Sequence, residues 1–137
     1  MVADIRQICQ GVFDALGKGH SEAVYQKALV IELYNAGALS VEYEKAVPVF
    51  FVDSNNVQHT VGSERVDILA RMPNQCVVLL ELKALQKLDP SCCIQLHKYI
   101  RSLQCLGVIV SQSHVVNFPQ KNLTDSIELL SDFDVKN

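Results

Sequence analysis

Apolar positions along the chain fall into two textures. From Ile5 to Leu16 the residues Ile5, Ile8, Val12, Phe13 and Leu16 recur at helical spacing, with Asp4, Arg6, Gln10 and Asp14 between them, and the pattern stops at Gly17 and Gly19. This predicts an amphipathic helix. A second helix is predicted from His20 or Ser21 through Val24, Tyr25, Ala28, Leu29, Ile31 and Leu33, with Gly37 just past its end. From Val41 to Leu85 the residues become β-branched and aromatic, interrupted by the turn clusters DSNN and RMPNQ, which predicts three strands joined by two hairpins. Asp89 then suits an N-cap with Pro90 at the first helical position, and the following helix runs through Ile94, Leu96, Ile100 and Leu103 to end before Gly107.

The run GVIVS, residues 107–111, is the predicted fourth strand. A strand, a helix and a strand in succession form a right-handed parallel crossover, so it should lie parallel to CVVLLELKAL in a mixed sheet covered by helices. The tail from Ser113 holds VVNFP and IELLSDF, which fit either short edge strands or a frayed helix, and it reads as poorly defined from about residue 119. The chain of 137 residues shows no linker or repeat, which is expected of one α/β domain over 1–137.

Composition narrows the function classes. No apolar run approaches the ~18–20 residues that cross a bilayer, and the N-terminus lacks the basic start of a targeting peptide, so the expectation is a soluble intracellular protein, cytoplasmic or nuclear. A net charge of -3 repels a phosphate backbone, so any nucleic-acid partner must be held by a local patch. Five cysteines without a CxxC argue against a disulfide framework or a zinc knuckle.

The second hairpin carries the candidate chemistry. With its turn centred on Asn74, Asp67 faces Glu81 across neighbouring strands, and alternation puts Lys83 on the same face as Glu81. Two carboxylates ~5 Å apart repel by roughly 3 kcal/mol at an effective dielectric of about 20, so a cation is wanted there. Lys83 supplies one charge, and a hard divalent ion held by carboxylates and water, Mg²⁺ or Mn²⁺, supplies the remainder. The plainer alternative is a solvated Glu81–Lys83 ion pair on an exposed sheet face, with Asp67 serving only solubility. Against it, the strand is apolar on both faces before Glu81, as a central strand would be.

Four segments in register, GHSEAVY (19–25), RVDILA, VVLLELKAL and QLHKY, resemble the GxxExxY family of the PD-(D/E)xK nuclease superfamily, of the RecB-like QxxxY type. The resemblance implies a restriction-endonuclease-like core, a mixed four- to five-stranded sheet flanked by helices in αα-βββ-α-β order. It implies that Asp67, Glu81, the Leu82 carbonyl and Glu22 hold Mg²⁺ or Mn²⁺, that Lys83 activates water, and that Gln95 positions Lys83 or a phosphate oxygen. Val66 stands where the superfamily name has proline. Tyr25 and Tyr99 are secondary substrate candidates for which packing is the simpler role, and Glu22 in a first helical turn also suits the helix dipole. Lys87, Lys98 and Arg101 form a candidate track for the nucleic-acid backbone. The function implied is metal-dependent phosphodiester hydrolysis, of DNA before RNA, with a homodimer or protein partner compatible; the alternative is an inactive nuclease-fold module that binds a protein or nucleic acid.

Overall fold

The computed structural model describes residues 4–120 and 126–131. Two helices, α1 (Ile5–Leu16) and α2 (Glu22–Asn35), precede β1 (Ser40–Val52), β2 (Gln58–Met72) and β3 (Cys76–Lys83). A 3-10 turn, Pro90–Cys92, leads into α3 (Cys93–Cys105), and β4 (Gln112–Asn117) and β5 (Glu128–Ser131) complete the sheet. The strand order is β1-β2-β3-β4-β5, with β3 and β4 parallel and the other pairs antiparallel. This is the mixed α/β architecture expected, a five-stranded sheet flanked by helices. Among the described residues no helix is long and apolar enough to cross a membrane.

Local chemistry opens the elements. Asp89 accepts from the Ser91 N–H beside Pro90, as anticipated, and Asp4, not singled out from the sequence as a cap, caps α1 by accepting from the Gln7 N–H. In the second hairpin Asn74 and Gln75 take positive φ, and Met72 pairs with Cys76, which reproduces the register read from the turn. That register turns Val78, Leu80 and Leu82 toward α1 and α2, where they pack with Phe13, Tyr25, Leu29 and Leu33. Val77 and Leu79 face the other way, against Leu96, Tyr99 and Leu103 of α3. Glu81 follows Val77 and Leu79 in phase and so belongs to the α3 side.

The fourth strand begins later than GVIVS suggests. Helix α3 ends in a turn at Gly107, with φ +82 and Val108 N–H bonded to the Leu103 carbonyl, so residues 108–110 are consumed in travelling from the helix end to the start of β3. Ile109, at the middle of this apolar run, is 77% exposed. Ser111 docks the chain on Val77, its N–H on the Val77 carbonyl and its hydroxyl accepting the Val77 N–H, and the parallel strand starts only then. Of the ambiguous tail, Glu128–Ser131 forms the edge strand β5, while residues 121–125 and 132–137 lie outside the described residues.

The GxxExxY segment has a structural task. Tyr25 is fully buried, its ring stacked on Phe118 at 4.3 Å and 6°, and its hydroxyl donates to the Gly17 carbonyl at 2.7 Å. The Gln120 side chain accepts the Gly19 N–H at 2.7 Å and donates to the Tyr25 hydroxyl at 3.4 Å. The α1–α2 loop is thereby tied to the chain leaving β4. Tyr25→Phe should cost about 1 kcal/mol through the lost hydrogen bond and Tyr25→Ala about 3–5 kcal/mol through the cavity, a contrast that urea unfolding would measure.

Candidate active site

Central strand β3 presents Glu81 in a nearly dry position, 4% exposed, and Lys83 half-buried two residues on. Across from them β2 departs from regular alternation. Val66 and Leu69 pack on the α3 side while Ile68 and Ala70 pack on the other, so the strand changes face beside Asp67, and Glu44 in the adjoining strand takes φ +53. The β2–β3 ladder runs to Ile68↔Leu80, and beyond it Asp67 Oδ2 accepts the Leu82 N–H at 2.7 Å. A carboxylate thus replaces a backbone partner. On its other side Asp67 offers its main-chain carbonyl to Gln26 Nε2 of α2 at 2.9 Å. Both of these bonds hold Asp67 where it meets Glu81.

The two carboxyl groups share a hydrogen bond, and Glu81 also bonds the Tyr99 hydroxyl. Burial, then the hydrogen bond with Asp67 and repulsion from it, pushes the Glu81 carboxyl up to about 9, against smaller opposing effects of Lys83 and Tyr99. Glu81 is therefore protonated at neutral pH in the metal-free protein. Tyr99, itself buried, is raised well above an ordinary phenol, first by burial and then by Glu81 and Glu64.

Around this centre the predicted residues fall into distinct positions. Gln95 is half-buried one turn before Tyr99, on the same side of α3. Glu22 is exposed at the opening of α2, one turn before Gln26. Lys87 and Arg101 are exposed, and Lys98 lies 3.7 Å from the Glu64 carboxylate. No group of three or more His, Cys, Asp or Glu side chains among the described residues is arranged to hold a metal ion, so Asp67 and Glu81 converge without Glu22. A cavity of about 890 Å³ lies elsewhere, lined by Ile8, Val12, Ala28 and Ile31 of the first two helices and by Met72 and Pro73, and none of the predicted site residues lines it.

Three side chains that matter here were not singled out from the sequence. Gln26 had a legible signal, because Glu22, Gln26, Leu29 and Leu33 form one stripe in which a glutamine interrupts buried positions. Glu64 stands three residues before Asp67 but enters the α3 side only through the change of face. Asn117 is fully buried at the end of β4, its amide bonding both the N–H and the carbonyl of Leu85 and donating to Glu128 at 2.7 Å. It anchors the loop that follows Lys83, and no spacing in the sequence announces it.

The sequence model of the PD-(D/E)XK nuclease superfamily matches residues 1–128, which include the Asp67, Glu81 and Lys83 segments. The chain belongs to that superfamily. Among solved structures, one titled "Crystal structure of SSO0001" is similar to this PD-(D/E)XK chain at 13% identity and a TM-score of 0.48, covering 96% of this chain and 69% of the other. No curated protein matches the sequence.

PD-(D/E)XK nucleases generally use divalent metals, and the donor set here fits one. Asp67 and Glu81, which share a hydrogen bond and repel one another, offer hard oxygen donors where a cation would relieve that repulsion.

Proposed function

We propose that this protein is a Mg²⁺- or Mn²⁺-dependent nuclease of the GxxExxY, RecB-like type, hydrolysing phosphodiester bonds of DNA in preference to RNA. The observation that carries the reading is the Asp67–Glu81 carboxyl pair, hydrogen-bonded in a dry niche with Lys83 beside it. DNA is preferred on the superfamily's general habit.

In this reading Asp67, Glu81 and the Leu82 carbonyl hold the metal, and Glu22 reaches it through water from the opening of α2. When bound, the ion polarises the scissile phosphate and lowers the pKa of water. Lys83 orients the attacking water and offsets the charge that develops on the phosphoryl oxygens. Tyr99 donates to Glu81 and keeps its carboxyl aimed at Asp67, and Gln95, on the same helix face, positions Lys83 or a phosphate oxygen. Tyr25 acts at a distance, through the loop it ties down. Lys87 and Arg101 guide the phosphate backbone, with Lys98 partly neutralised by Glu64. Replacing Lys87 and Arg101 by alanine should weaken DNA binding at every sequence alike and reduce the slope of log K against log salt by about 1 per residue, readable by fluorescence anisotropy at several salt concentrations.

The decisive experiment incubates purified protein with labelled single-stranded DNA, duplex DNA and RNA, each with Mg²⁺, Mn²⁺ or chelator. Cleavage of DNA with either metal, abolished by chelator, is the expected result. Equal cleavage by Asp67→Ala protein would identify a contaminant and overturn the proposal.

A further inference from the structure

Strand β3 passes from Lys83 directly into a short loop, residues 84–88, and two neighbouring strands fasten that loop at both ends. At its start the fastening comes from β4. Lys83 pairs with Asn117 in the parallel ladder, the Phe118 N–H donates to the Lys83 carbonyl at 2.9 Å, and the Asn117 amide accepts the Leu85 N–H at 2.8 Å and donates to the Leu85 carbonyl at 3.2 Å. At its far end the holder is Glu128 of the edge strand β5: its Oε1 accepts the Leu88 N–H at 3.0 Å and the Asn117 Nδ2 at 2.7 Å. Acids ordinarily turn to water. Glu128 instead is half-buried and gives one carboxylate oxygen to two neutral N–H donors, bonds about twice as strong as those to a neutral acceptor. Leu88 itself is buried against the α3 side of the sheet. Between the two anchors only Gln86 and Lys87 are left, and both are exposed.

We propose that Glu128 is a positioning residue for substrate: by pinning Leu88 it holds Lys87 where its ammonium meets a phosphate of the nucleic-acid backbone close to the reacting one. The inference rests on the nuclease reading and deepens it. Four residues separate Lys83 from Lys87, so their Cα atoms lie at most ~14 Å apart, the length of about four nucleotides at ~3.4 Å of axis each. Both lysines thus reach one stretch of backbone. In a chain of net charge -3 a cation attracts DNA only where it is held in place, and a loop fastened at both ends has already given up the backbone entropy that a free one would lose on binding. Lys83 does not depend on Glu128, because the β3–β4 ladder holds it. Glu128 therefore governs how substrate is bound, separately from the chemistry.

The test combines anisotropy of a labelled DNA duplex with the whole protein in chelator and steady-state cleavage with Mg²⁺ or Mn²⁺. Glu128→Ala should weaken binding and raise KM by about fivefold while kcat changes less than about twofold. Losing a negative charge would by itself tighten the complex, so a weaker one reports lost positioning. Glu128→Gln, whose amide oxygen still accepts the Leu88 N–H, should restore the affinity. Lys87→Ala should cost about fivefold in the parent protein and less than about twofold in the Glu128→Ala background, whereas Arg101→Ala, on α3, should cost the same in both. If the alanine protein does not fold, Glu128→Thr, a good strand former too short to reach Leu88, takes its place. Additive losses at Lys87 and Glu128, a kcat that falls as far as KM rises, tighter binding by Glu128→Ala, or no recovery with glutamine overturns the proposal and leaves the nuclease reading standing. Wild-type protein that neither binds nor cuts DNA overturns both.

Discussion

Lys83→Ala should lower metal-dependent DNA cleavage by about 10³-fold or more, with the fold and metal affinity retained. Lys83 lies two residues from Glu81 on the same face of β3 and is half-buried, so its ammonium is close enough to lower the Glu81 carboxyl while still open to solvent. Removing it takes away the positive charge that would meet the developing phosphoryl charge, while both carboxyl groups remain. Asp67→Asn should produce a loss of similar size by a different route. An amide in place of the carboxylate removes the charged acceptor of the Leu82 N–H and one hard oxygen donor, so metal affinity should fall together with the rate. Single-turnover cleavage alongside calorimetric titration with Mg²⁺ separates the two: Lys83→Ala fails in the chemistry, and Asp67→Asn fails in both. Metal affinity that drops equally in both variants would count against a separate role for Lys83.

Glu81→Gln should stabilise the metal-free protein, and by more as the pH rises. The folded state holds the Glu81 proton up to about 9, whereas the unfolded chain releases it near the ordinary value of 4.5. Between those limits the native state binds more protons than the unfolded state, so stability is greatest below the unfolded value and declines as pH rises through the folded one. Glutamine mimics the protonated carboxyl and carries no such penalty. The gain should be large at pH 8 and small near pH 5, close to the unfolded value. Saturating Mg²⁺ should reverse the ranking at pH 8, because a bound cation stabilises only the protein that can present both carboxylates. Thermal melts at pH 5, 7 and 8, with and without metal, read all of these outcomes. A wild-type Tm that rises between pH 5 and 8 without metal would contradict the buried, protonated Glu81.

The arrangement couples the candidate site to the stability of the fold through few residues. Gln26 from one side of the sheet and Tyr99 from the other bond Asp67 and Glu81 respectively, so the pair is gripped by helices on opposite faces. Asn117 holds the loop after Lys83 from the neighbouring strand. Such bonds hold Asp67 and Glu81 in place before any ligand arrives.

Much of this was legible in the chain itself. Periodicity placed α1 and α2, turn chemistry at Asn74 set the register of β2 on β3 as far as Ile68↔Leu80, and alternation put Lys83 on the same face of β3 as Glu81, because each of these depends on residues close in sequence. The GVIVS run misled for the same reason. Its apolar β-branched residues read as a strand, but the distance from the end of α3 to the start of β3 used them as a connection, and the strand formed from the more polar QSHVVN. The change of face beside Asp67, the grip of Gln26, the approach of Lys98 to Glu64 and the exposed position of Glu22 were decided only by the tertiary structure. Each depends on how helices on the two faces of the sheet fit against strands distant in sequence, and packing of that kind leaves no local pattern along the chain.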